Sequence, residues 1–73
     1  MMNDSEIKYI ISRILDNAND AIEESNQNKD DDFYKGKKIA YYEVLDTIKN
    51  ELKAKSQDLK EFGLEINLEK TLL

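Results

Sequence analysis

The chain has no cysteine, no histidine, no proline and no tryptophan, and only two glycines among its 73 residues. Each absence removes a class of answer. Without cysteine there is no disulfide to staple a small fold, no thiolate zinc site and no thiol nucleophile. Without histidine the commonest general base and the commonest transition-metal ligand are missing. With glycine only at positions 36 and 63, no glycine-rich loop is available to cradle a phosphate. The longest apolar runs, Tyr9-Ile10-Ile11 and Ile39-Ala40-Tyr41-Tyr42, fall far short of the roughly 20 residues that a membrane span needs, so no membrane partner is expected. The opening Met-Met-Asn-Asp-Ser-Glu shows neither the basic n-region nor the apolar h-region of a signal peptide, and a cytoplasmic location is the expectation.

What is present is charge. Sixteen acids against eleven bases leave a net charge of −5, with the two signs interspersed. A phosphate backbone asks for a basic face, so no nucleic-acid partner is expected. The length suits one domain, residues 1–73, and a chain this short buries only about 60–65% of its unfolded surface. Stability must then come from dense helix packing or from oligomerisation.

Helical periodicity dominates the pattern. Ile7, Ile10, Ile11, Ile14, Leu15, Ala18, Ala21 and Ile22 recur at steps of three and four, which at 100° per residue gathers them on one face. Asn3, Asp4 and Ser5 are candidate N-caps, and the first helix is expected over about 4–25. Residues 25–32, Ser-Asn-Gln-Asn-Lys-Asp-Asp-Asp, contain no apolar residue, and side chains of this kind bond their own backbone in competition with helix. They read as a polar loop whose Asp31 or Asp32 caps the next helix.

Phe33, Ala40, Tyr41, Val44, Leu45, Ile48 and Leu52 form the stripe of a second helix, and Leu59 and Phe62 continue it. Placing Gly63 at C′ puts Leu64 at C″ and Leu59 at C3, the apolar pair of a Schellman stop. Helix 2 is therefore expected over about 32–62, with a possible break near Ser56-Gln57-Asp58. The tail, residues 63–73, alternates Leu64, Ile66 and Leu68 as a strand would. Asn67 could equally cap a last helical turn, and an extended segment followed by a turn is preferred.

Two amphipathic helices joined by a short polar loop fold antiparallel. A hairpin centred near residue 29 sets Ala18 against Tyr41, Ile14 against Leu45, Ile11 against Ile48 and Ile7 against Leu52. Ile11, Ile14, Leu45 and Ile48 then form the buried centre. Gly36 and Ala40 leave room for close helix approach, or Gly36 sits in a frayed first turn.

Four stretches carry the residue types of candidate chemistry. Glu24-Ser-Asn-Gln27 followed by Glu43-Val-Leu-Asp46 loosely resembles the ExxE…ExxD metal-binding pattern of the all-α nucleotide pyrophosphatases of the MazG type. That resemblance implies Mg²⁺ held against nucleotide phosphates by Glu24, Glu43 and Asp46. Gln27 stands where the second acid belongs, and all three acids project away from the apolar stripes, so solvated helix faces are the preferred reading. The loop from Asn26 has Asp31 and Lys37 where an EF-hand needs Gly and Glu. Ser56-Gln57-Asp58-Leu59-Lys60 is similar to the SQxLD signature of some small two-helix phosphatases, but ends in lysine. Tyr34, Lys35, Lys37 and Lys38 interleave aromatic and basic residues as a nucleic-acid strip does, yet three aspartates precede them.

The sequence thus points to an all-α, antiparallel two-helix hairpin with a short C-terminal tail. No catalytic residue, cofactor or metal ligand is assigned. The expected role is a non-enzymatic protein–protein interaction or regulatory module. The rival readings are a degenerate Mg²⁺-dependent nucleotide hydrolase and an acidic inhibitor or antitoxin-like factor. Because the hairpin leaves Leu59, Phe62, Leu64, Ile66 and Leu68 uncovered, with Ile39 and Tyr42 on the back of helix 2, these seven are the candidate interface. The tail is expected either to fold back over Met1, Met2 and Ile7 or to enter the shared core of a four-helix homodimer, and the homodimer is preferred.

Overall fold

Three turns of backbone geometry, each begun by a side chain that bonds back to the main chain, set the architecture of the computed structural model, which describes residues 2–73. Asn3 Oδ1 accepts the Glu6 amide at 2.9 Å and opens α1, Asp4–Gln27. Asp31 Oδ1 accepts the Phe33 amide at 2.9 Å and opens α2, Asp32–Ala54. Asn67 Oδ1 accepts the Lys70 amide at 3.1 Å and opens α3, Leu68–Leu72. Each cap satisfies an amide that has no partner inside its helix. No strand occurs among the described residues.

α1 and α2 pack side by side as the antiparallel hairpin the periodicity implies. A 24-residue helix is about 36 Å long, which matches the longest dimension of 40 Å. Near the loop, Lys37 Nζ meets Glu24 Oε1 at 2.9 Å. The expected register sets residue 35 opposite Glu24 to within about one turn, so this pair lies within its range.

α2 stops eight residues before the expected end. Ser56 takes a left-handed φ of 57°, the Gln57 amide bonds the Leu52 carbonyl at 2.9 Å and the Ser56 amide bonds the Lys53 carbonyl at 3.0 Å. That pair of bonds is a Schellman motif with serine at C′. The break near Ser56 is therefore the true end of the helix. The anticipated stop at Gly63 also forms, but on a short run of turns: Gly63 has φ 74°, and the Leu64 amide bonds the Leu59 carbonyl at 2.9 Å.

Two consecutive stops reverse the chain, and the tail returns along the hairpin. Lys8 Nζ lies 3.7 Å from Glu61 Oε2 and 5.4 Å from the Phe62 ring centre. A Cβ on Gly63 would sit 3.5 Å from Leu15 Cδ1. The Lys49 ammonium donates to the Ile66 carbonyl at 2.6 Å, and α3 packs on α2. The turn that ends the tail is the helical one capped by Asn67.

This third layer changes the core. Ile11, Ala18, Leu45, Phe62, Leu64, Leu68 and Leu72 form its buried centre, so most of it comes from the chain beyond α2. Ile11 and Leu45 are buried as expected, whereas Ile14 and Ile48 are half-buried. The reason is rotational. The expected stripe of α2 centres near Ile48, but burial centres on Leu45, about 60° further round, because α2 is shared between α1 and the tail. Tyr41 and Tyr42 both pack against the core, one toward each neighbour. Phe33, Ala40 and Val44 are turned out to solvent.

Gly36 lies within α2 and is exposed. Nothing stands within 4 Å of where its Cβ would be. The close approach to α1 expected at Gly36 and Ala40 is not made, and the first turn is helical rather than frayed.

Candidate interaction surface

α2 presents one face that none of the described residues covers. Phe33, Lys37, Ala40, Val44, Thr47, Glu51 and Ala54 follow one another at steps of four and three, the spacing of a coiled-coil seam. All are exposed except Lys37, which is half-buried at the edge next to α1. Phe33 is 68% exposed and Val44 47%. The Thr47 hydroxyl donates to the Glu43 carbonyl at 2.9 Å, so its polar group is already satisfied within the helix. On α1, Ile10 is 43% exposed as well.

Lys37 is the charged feature of the face. Its ammonium donates to the Glu24 carboxylate, and that hydrogen bond holds its pKa above the ordinary lysine value, with partial burial opposing and the Glu24 charge adding. The Tyr34-Lys35-Lys37-Lys38 strip does not present one surface. Lys37 faces α1, while Lys35 and Lys38 line a cleft of about 530 Å³ against Leu72 and Leu73.

The seven residues expected at an interface fall into three groups. Phe62, Leu64 and Leu68 are buried in the chain's own core, Leu64 completely. The ground for placing them at a dimer contact was that the hairpin left them uncovered, and the returning tail removes it. Leu59 and Tyr42 are half-buried along the groove between α2 and the tail. Ile66 is partly exposed in that groove, and Ile39 is exposed at the lysine-lined cleft. The fold-back was expected over Met1, Met2 and Ile7. Ile7 does pack against the core, Met2 stays exposed, and Met1 lies outside the described residues.

The acids of the pyrophosphatase-like spacing are not brought together. Glu24 is tied to Lys37 on the α1 side, and Asp46 accepts from Asn50 Nδ2 at 3.3 Å on the side of the tail. Among the described residues no group of three acids is placed to hold a metal ion, and no helix is long and apolar enough to cross a membrane. Sequence reasoning missed the seam itself. The signal is there in the four-three spacing from Phe33 to Ala54, but Phe33, Ala40 and Val44 fit the core stripe as well.

No family model, no curated protein and no solved structure matches this chain.

Proposed function

We propose that the chain is a non-enzymatic interaction module that offers the outer face of α2 to a protein partner. One observation carries the reading: Phe33 and Val44 stay exposed on a helix whose other side is packed by two neighbours. Single exposed apolar residues are ordinary. A run of them at seam spacing on a helix held rigid from behind is how a protein contact is presented.

The test has two arms. A Phe33→Ser/Val44→Ser double variant is expected to keep its helicity and its melting midpoint in dilute solution, since neither side chain supports the fold. A large loss of stability would place both residues in the fold and overturn the reading. Thermal melting with Mg²⁺ and nucleoside triphosphates is expected to show no shift. A clear rise that needs both ligands would favour the hydrolase reading through Glu24, Glu43 and Asp46.

A further inference from the structure

The seam of α2 is its own complement when run backwards. Reversing the order of its seven residues sets Phe33 against Ala54, Lys37 against Glu51, Ala40 against Thr47 and Val44 against itself. The largest side chain meets a small one, the single cation meets the single anion, and the centre holds small or β-branched residues. We propose that a second copy of this chain covers this face, with the two α2 helices antiparallel about a two-fold axis beside Val44. This rests on the interaction-module reading and names its partner.

A two-fold axis requires that residue i contact j′ and j contact i′, and each seam pair meets that condition. A heterologous partner would leave the internal symmetry of the seam without a purpose. Charge points the same way. Lys37 has three donors, and Glu24 takes one of them, so a second carboxylate can be accepted from the partner. Glu51 forms no ion pair among the described residues. In the dimer both Lys37–Glu51 pairs form at once, symmetric about Val44. The Thr47 hydroxyl enters already bonded to Glu43, so its burial leaves no donor unmet. Three heptads are about 32 Å of contact, the length of α2 itself.

The chain lacks cysteine, which makes crosslinking unambiguous. Sedimentation equilibrium over a wide concentration range is the first measurement. The expected mass at high concentration is twice 8.5 kDa. A Glu51→Lys variant turns two attractive pairs repulsive and is expected to weaken the dimer about tenfold, while Lys37→Glu/Glu51→Lys recovers it. Val44→Cys treated with diamide is expected to form a disulfide-linked dimer readily, and Phe33→Cys, which faces Ala54 of the other copy, is not. Should the double exchange fail to fold, Glu51→Lys and Val44→Cys alter exposed positions only and decide alone. A mass of 8.5 kDa throughout overturns the proposal. So does a dimer indifferent to Glu51→Lys, or equal crosslinking at positions 33 and 44. A monomer leaves the interaction reading to its own two arms, which do not depend on self-association.

Discussion

Ser56 and Gly63 take the same left-handed turn, with φ of 57° and 74°, and each is closed by the same bond from the following amide to a leucine carbonyl five residues back, at 2.9 Å in both cases. Together they turn the chain from the end of α2 to the start of the tail, which makes the third layer possible.

Only one of the two has the residue suited to that conformation. A side chain in the left-handed region costs about 1 kcal/mol or more, and glycine avoids it. Ser56→Gly is therefore expected to raise stability by up to about 1 kcal/mol, read from chemical denaturation. Gly63→Ala is expected to lower it by a similar amount, through backbone strain rather than collision, since its Cβ would meet Leu15 Cδ1 at an ordinary contact distance of 3.5 Å. A stabilised Gly63→Ala chain would contradict the turn geometry.

The tail belongs to the core rather than to its surface. Leu64→Ala and Leu72→Ala are expected to cost about 2–5 kcal/mol each, because both side chains are fully enclosed. Ile14→Ala, at a half-buried position, is expected to cost less than either. A chain ending at Lys55 is expected to lose cooperative melting, as it lacks Phe62, Leu64, Leu68 and Leu72 from the core. Cooperative melting of that truncated chain at full stability would show the hairpin to be self-sufficient.

The sequence made the two helices, their caps and the polar loop legible, because each is announced locally: Asn3 and Asp31 before an apolar period, then a run of loop formers. It also announced both helix stops. What it could not show was which neighbour each face of α2 would meet. A stripe drawn for one partner centres near Ile48 with Val44 inside it, while the true face centres on Leu45 because a second partner arrives beside Tyr42. That choice depends on where the tail goes, and Leu64, Ile66 and Leu68 read alike as a strand or as a capped turn. The exposed seam was hidden by the same ambiguity, since Phe33, Ala40 and Val44 fit the hairpin stripe until the tail displaced it.

Gly36 is open to a simple test. It sits inside α2 with free space around its missing Cβ, and glycine in a helix costs about 1 kcal/mol relative to alanine. Gly36→Ala is expected to raise the midpoint of the dilute chain by the corresponding amount. A loss would reveal a close neighbour at that position.

Alkaline pH should loosen the groove between α2 and the tail. Partial burial raises the pKa of Tyr42, and the charges of Asp46 and Glu69 raise it further. A folded value above the unfolded one means that the neutral phenol is favoured by folding. Its contribution is complete below the ordinary tyrosine value of about 10 and is lost as pH climbs through the folded value. Lys37 is raised in the same sense through Glu24 and adds to the loss above its own ordinary value. Absorbance titration should lose a phenol that ionises above the ordinary tyrosine value when Tyr42 is changed to Phe, and Tyr42→Phe should remove its part of the alkaline decline. A Tyr42→Phe chain with an unchanged alkaline decline would assign the effect elsewhere.

The central claim is that a second copy of the chain covers the outer face of α2 and that the tail takes no part in that contact. Amide chemical shifts recorded from dilute to concentrated solution test it most directly, residue by residue. The expected result is a concentration-dependent change along Phe33, Ala40, Val44, Thr47 and Glu51, with the amides of Leu64, Leu68 and Leu72 unmoved. Shifts confined to the tail, or no shift at any concentration, would contradict it.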